Sequence, residues 1–165
     1  MSKQTAGIHH ITAIVGHPQE NVDFYAGVLG LRFVKKTVNF DDPGTYHFYF
    51  GNEKGEPGTI ITFFPWAGAY KGVIGGGQVG VTTYVIPPGS LEFWKKRLQA
   101  FHISFSLHER FGEQYLAFDD PHGLKLELVE REAGERNTWE FGGVTKEVAI
   151  KGFGGAILLS TQPDK

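Results

Sequence analysis

One order of elements is written twice in this chain, and that repetition restricts the possible folds more than any other feature. In the first copy, residues 7–16 (GIHHITAIVG) are rich in β-branched side chains and precede Pro18, which suits a first helical turn. Residues 18–29 (PQENVDFYAGVL) set Val22, Tyr25, Ala26 and Leu29 on one helical face, and Gly30 supplies a stop signal. Segments 31–38, 45–50 and 58–64 read as strands separated by Asp-Pro-Gly and Glu-Pro-Gly turns. The second copy repeats the order. Residues 78–86 (QVGVTTYVI) read as a strand, and Ser90 is the expected N-cap of a helix over 91–101. Leu91, Trp94, Leu98 and Phe101 form that helix's apolar stripe. Segments 103–109, 113–118 and 124–130 complete the set, the last introduced by the turn Asp120-Pro121-His122-Gly123.

The pattern predicts an α+β fold of two βαβββ modules, with curled mixed β-sheets and helices on the outer face. The first module is expected over 1–70 and the second over 71–131, joined by the glycine-rich stretch 72–77. Residues 132–165 are expected to hold a charged linker and the first strand of a third module. Residues 152–161 (GFGGAILLST) resemble a first strand, and Gln162-Pro163-Asp164-Lys165 falls where His17-Pro18-Gln19-Glu20 opens the first helix. The expectation is a reading frame that continues for about another chain length. The competing expectation is a terminal strand that caps or swaps onto the sheet.

Composition removes several classes of function. The net charge of −2 gives no electrostatic case for nucleic acid or an anionic membrane. Cysteine is absent, which excludes disulfides, thiolate metal sites and a cysteine nucleophile. No apolar run is long enough for a signal peptide or a spanning helix, so a cytoplasmic location is the expectation. No P-loop, dinucleotide fingerprint, HExxH or GxSxG motif occurs.

Strand alternation sorts the chemistry-bearing residues. Ile11, Ala13 and Val15 should pack under the helix, which turns His10 and Thr12 to the inner face of a curled sheet. Leu124, Leu126 and Leu128 should do the same in the second copy, leaving Glu127 on the inner face. A neutral imidazole and a carboxylate suit a divalent first-row metal, and two His with one carboxylate suit non-haem Fe(II). Superposing the copies by sequence sets Gly80 opposite His10 and Thr62 opposite Glu127, so each module keeps one potential ligand. Glu127 is expected as a paired or hydrogen-bonded carboxylate on the cleft wall more than as a ligand. His47 is expected as a cross-strand aromatic partner, with contact to a phenolic substrate as its alternative. His17, His102, His108 and His122 read as structural or exposed, and Arg32, Lys35 and Lys36 as a solvated face.

The opening Ile8-His9-His10-Ile11-Thr12, the helix with Asp23-Phe24-Tyr25 followed by Leu29-Gly30-Leu31-Arg32-Phe33, and the turn before Leu126-Glu127-Leu128 resemble the vicinal oxygen chelate superfamily. Arg32-Phe33-Val34-Lys35-Lys36-Thr37, Tyr46-His47-Phe48-Tyr49-Phe50, Pro57-Gly58-Thr59 and Pro88-Gly89-Ser90-Leu91-Glu92-Phe93-Trp94 resemble its four-module ring-cleaving dioxygenases, which act on hydroquinone-type substrates. The resemblance covers essentially the whole chain, as the N-terminal half of such an enzyme. It implies an Fe(II) site, with Mn(II) or another divalent metal as alternatives, and extradiol-type cleavage of a small aromatic substrate by O2. The family's metal is held by a His of the first module and a His and a Glu of the last. Of these, only the first carries over, onto His10. The preceding His and the Thr two positions on line the family's active site, which implies catalytic roles for His9 and Thr12, although alternation alone argues against His9. The missing ligands would come from a C-terminal half of the same protein or from a homodimer partner. The alternative functions are a metal-free module that binds a planar aromatic compound, and a glyoxalase-like isomerase, which needs ligands in both modules.

Overall fold

In this computed structural model, which describes residues 5–163, both copies of the repeat form a sheet of the same topology. Residues 1–4 and the Asp164-Lys165 end of the expected third-module start lie outside the described residues. The first sheet comprises β1 (His10–Val15), β2 (Arg32–Val38), β3 (Tyr46–Gly51) and β4 (Ile60–Pro65), in the order β1-β4-β3-β2. β1 runs parallel to β4 and the other pairs are antiparallel. The second comprises β5 (Gln78–Ile86), β6 (Phe105–Arg110), β7 (Glu113–Asp119) and β8 (Lys125–Glu130), with β5 parallel to β8. A further strand, β9 (Gly152–Leu159), runs antiparallel to β5 and makes the order β6-β7-β8-β5-β9. The expected α+β architecture is therefore present, and the extra strand covers the edge that β5 would otherwise expose.

One face of each sheet is apolar and lies under helix. Val15, Phe48, Phe50, Ile61 and Phe63 meet Phe24, Tyr25, Val28 and Leu29. Tyr84, Leu116, Leu126 and Leu128 meet Leu91, Trp94 and Leu98, and the two groups merge into one core. The first helix departs from the simple expectation. An α-helical turn, α1 (Pro18–Val22), passes into a π-helical segment over Asp23–Val28, closed by Leu29 N–H donating to the Phe24 carbonyl at 2.9 Å. The wider turn rotates the buried face. Phe24 and Val28 join Tyr25 and Leu29 in the interior, while Val22 and Ala26 are only partly buried. Gly30 ends the segment at φ +69°, as the stop signal requires.

α2 (Leu91–Ala100) is one residue shorter than expected. Phe101 leaves the helix as its C-cap and is exposed, with Arg97 5.1 Å above its ring. Ser90 occupies the N-cap position, but its hydroxyl donates to the Pro87 carbonyl instead of capping. The Glu130 carboxylate takes that role, accepting from Leu91 N–H at 2.6 Å.

The segment between β8 and β9 fastens the two modules together. Val144, Ala149 and Ile150 are buried in the shared core. Trp94 Nε1 donates to the Val148 carbonyl at 2.9 Å, and Asn137 Oδ1 accepts from Glu53 N–H at 3.1 Å. Arg97 donates to the carbonyls of Val28, Gly27 and Gly142, linking α2 to the end of the first helix. Among the described residues no helix is long and apolar enough to cross a membrane.

Candidate active site on the first sheet

The inner face of the first sheet carries a band of polar and aromatic side chains, placed there by the strand register. Across the four strands, Thr12 lies beside Thr62, Thr62 beside Tyr49, and Tyr49 beside Lys35. Thr12 Oγ1 and Thr62 Oγ1 share a hydrogen bond of 2.8 Å. One step along the strands, His47 pairs with Thr37 and stacks on Phe64, with ring centroids 4.1 Å apart. His47 Nδ1 and the Tyr49 hydroxyl share a 2.9 Å hydrogen bond, and Lys35 Nζ sits 5.6 Å from the Tyr49 ring centre. Burial, then the charges of Lys35 and His10, holds the His47 imidazole below its ordinary pKa. Its Nε2 is buried and has no hydrogen-bond partner among the described residues.

His10 opens β1 and is exposed on this face, while Ile11 and Val15 turn into the core. His9 precedes the strand, so pleat alternation does not dictate its direction. Its ring packs edge-on against His10, with centroids 5.2 Å apart and the two Nδ1 atoms 3.0 Å apart. Gly58 N–H anchors the backbone there by donating to the His9 carbonyl at 2.8 Å. The two histidines and Thr12 thus lie at one end of the polar band.

Glu127 belongs to a different surface. It is buried on the inner face of the second sheet, where Thr83 Oγ1 donates to it at 2.7 Å. Arg110 donates to both of its oxygens, at 2.7 and 3.2 Å. A cleft of about 670 Å³ opens beside it, lined by residues including Val81, His102, Ala117 and Asp120. The second-sheet register corrects the sequence superposition by one residue. His10 pairs with Ile60 and Thr12 with Thr62, as Val81 pairs with Lys125 and Thr83 with Glu127. Val81, not Gly80, therefore stands opposite His10. Gly80 lies just before that register begins, at a bulge in the pairing of β5 with β9, where a Cβ on it would lie 2.9 Å from Leu159.

Among the described residues no group of three His, Asp or Glu side chains is close enough to hold a metal ion. His108 lies mid-strand, bonded to Ser106, and His122 lies in the turn before β8 with its ring against Gly16. The Lys35–Tyr49–His47 cluster did not emerge from the sequence as a unit. Alternation within Tyr46-His47-Phe48-Tyr49-Phe50 already put His47 and Tyr49 on one face, and pairing β3 with β2 would have added Lys35.

Residues 7–128 match the family described as the Glyoxalase/Bleomycin resistance protein/Dioxygenase superfamily. The chain is 76% identical over 165 residues to "Putative ring-cleaving dioxygenase MhqO" of Bacillus subtilis (strain 168), covering 100% of this chain and 53% of that protein. It is 41% identical over 158 residues to "Chlorohydroquinone/hydroquinone 1,2-dioxygenase" of Sphingobium indicum, covering 93% of this chain and 49% of that one. The chain thus spans about half the length of the curated relatives it matches. A crystal structure described as a dioxygenase from Bacillus subtilis subsp. subtilis str. 168, there qualified as "putative", superposes with a TM-score of 0.97 at 76% identity, over 99% of this chain and 53% of that one. The fosfomycin resistance protein FosX of Listeria monocytogenes, with Mn(II) bound, shares the fold at a TM-score of 0.56 and 15% identity, over 76% of this chain and 93% of that one. By its repeat, its paired mixed sheets and this match, the chain belongs to the glyoxalase/bleomycin resistance protein/dioxygenase superfamily.

Proposed function

We propose that this chain supplies one wall and one ligand of an Fe(II)-dependent, extradiol-type dioxygenase that cleaves hydroquinone- or catechol-like rings with O2. The observation that carries the proposal is the exposed His10 imidazole on the inner sheet face, braced by His9 and lying at the head of the Thr12–Thr62 polar band. The relatives named as ring-cleaving and hydroquinone dioxygenases support it.

The donor chemistry fits one position of a metal site. His10 Nδ1 is engaged with His9, so the nitrogen available to a metal is Nε2. Two further ligands must come from outside the described residues, in a C-terminal half of the same protein or a homodimer partner. Bound there, ferrous iron supplies Lewis acidity and a path for electrons between ring and O2. The chain's own residues do the rest of the work on this wall. His9 fixes the tautomer and orientation of His10, as an outer partner does for a ligating imidazole. With its Nδ1 accepting from His10, the second ring nitrogen of His9 carries the hydrogen and is the candidate donor to a substrate oxygen. Thr12, held by Thr62, retains hydrogen-bonding capacity to orient that hydroxyl.

An isomerase using ligands from both modules of this chain is disfavoured by Val81 opposite His10 and by the engagement of Glu127 with Arg110. The test is metal analysis and oxygen uptake with hydroquinone, on the chain alone and on the entire product of the reading frame that encodes it. The full product should retain iron and consume oxygen. A folded, iron-supplied full product that does neither would sink the proposal.

A further inference from the structure

We propose that Tyr49 is a specificity-determining residue, fixed by His47 and flanked by Lys35, that hydrogen-bonds the ring hydroxyl farthest from His10. This rests on the reading of the first sheet's inner face as the substrate wall.

Three observations converge on it. First, the register places Tyr49 in line with Thr12, across Thr62. Two strand spacings, roughly 10 Å, separate their backbones. A ring whose first hydroxyl lies at Thr12 directs a para hydroxyl across the sheet toward Tyr49. An ortho hydroxyl stays on the His10 side.

Second, the Tyr49–His47 pair has unspent hydrogen-bonding capacity. Phe64 pins the His47 ring by stacking at 4.1 Å, and the shared 2.9 Å bond fixes the phenol. When His47 donates from Nδ1, the Tyr49 hydroxyl is free to donate to a ligand and His47 Nε2 is a bare acceptor. When Tyr49 donates, its oxygen is free to accept and Nε2 carries the hydrogen. Lys35 beside the ring favours a ligand oxygen with anionic character.

Third, the second sheet lacks the device. By the register that aligns Thr62 with Glu127, Ala117 stands where Tyr49 stands and Tyr115 where His47 stands. There, Arg110 and Glu127 close the inner face on themselves. Tyr115 does lie against the His108 ring, with centroids 5.6 Å apart, but that imidazole is bonded to Ser106, so the hydrogen-bonded phenol–imidazole pair is found on the sheet that carries His10.

The experiment uses the full product of the reading frame and compares Tyr49→Phe and His47→Phe with the unaltered protein. Equilibrium binding of hydroquinone and of phenol is measured without oxygen, beside thermal midpoint and iron content. Tyr49→Phe should weaken hydroquinone roughly three- to tenfold, the scale of one hydrogen bond, and leave phenol unchanged. His47→Phe keeps the stack on Phe64 and should weaken hydroquinone in the same direction by freeing the tyrosine. Midpoint and iron content should hold in both. Equal loss for both ligands, no change in either, or undetectable hydroquinone binding by the unaltered protein would overturn the assignment. The outcome is separable from catalysis. Altered selectivity in a protein that consumes no oxygen would retain Tyr49 as the determinant and reject the dioxygenase reading. Normal turnover with unmoved selectivity would do the reverse.

Discussion

Arg110 grips the Glu127 carboxylate with both terminal nitrogens, Nη2 at 2.7 Å and Nη1 at 3.2 Å, so the buried acid of the second sheet is already neutralised. Tyr115 supports the guanidinium from 4.7 Å. A cation held this way occupies the role a metal would have beside that carboxylate.

Removing the arginine should therefore be costly. Arg110→Met leaves a buried carboxylate with only Thr83 as its side-chain donor. Breaking a buried pair usually costs more, but Arg110 is about one-third exposed at 34%, so a destabilisation of about 2 kcal/mol is expected. Adding Glu127→Gln should recover much of it. Denaturant unfolding of the two single variants and the double variant measures the coupling, and strict additivity would refute the pairing.

Gly30 and Val144 make a second close relationship, between the end of the first helix and the segment that follows β8. At φ +69°, a Cβ on Gly30 would fall 2.7 Å from Val144 Cγ2. Gly30→Ala combines left-handed backbone strain with overpacking and should cost roughly 2–4 kcal/mol. Val144→Ala in the same chain should return only a fraction of the steric part, because the Val144 Cβ would itself lie 2.8 Å from the new atom, and should leave the backbone part. If Gly30→Ala unfolds at the unaltered denaturant midpoint, the contact is wrong.

Arg131 joins three strands. It donates to both oxygens of Glu113 at the start of β7, at 2.7 and 2.6 Å, and to the Gly154 carbonyl of β9 at 2.9 Å. Its hydrogen bonds hold the Glu113 carboxyl below its ordinary value of 4.5. A carboxyl with a depressed folded pKa stabilises fully above its unfolded value, and that contribution fades as pH falls through the depressed one. Protection of β9 amides against hydrogen exchange should hold above pH 4.5 and decline below it. Glu113→Gln should remove this extra acid sensitivity. Equal acid loss with and without the glutamate would assign the effect elsewhere.

What could be read from the sequence followed from periodicity, and what could not followed from geometry that periodicity does not encode. Alternation placed Ile11 and Val15 in the core under the helix and His10 on the opposite, inner face of the sheet, because a pleat has only two faces. It does not reach His9, which lies before the pleat begins, and superposing the copies by sequence missed by one residue the strand register that sets Val81 opposite His10. Helical spacing found Leu91, Trp94 and Leu98, yet missed the π-helical turn that brings Phe24 and Val28 inward. Ser90 had the right residue type and position for a cap, but Glu130, distant in sequence, makes the bond. Glu127 was expected to be paired, but its partner Arg110 was invisible, since that depends on the order of the strands in the sheet.

His10 allows the most direct test of the active-site assignment. Its Nε2 is the proposed ligand atom, and it lies on the first sheet's inner face with no substitute from the second sheet, where Val81 stands in the equivalent place. In the full, iron-supplied product, His10→Ala removes one ligand of a small set and should sharply reduce retained iron and oxygen uptake with hydroquinone. The fold should survive, because the side chain is exposed and, among the described residues, its side-chain hydrogen bond is with His9. The control is His102→Asn. His102 sits at φ +56° after α2, a conformation that asparagine tolerates far better than alanine, so this change tests loss of an imidazole without added backbone strain. That variant should keep most of its iron and activity. Equal losses in the two variants would show that the inner-face assignment is wrong, and a His10→Ala protein with full iron and turnover would remove the first sheet from the metal site altogether.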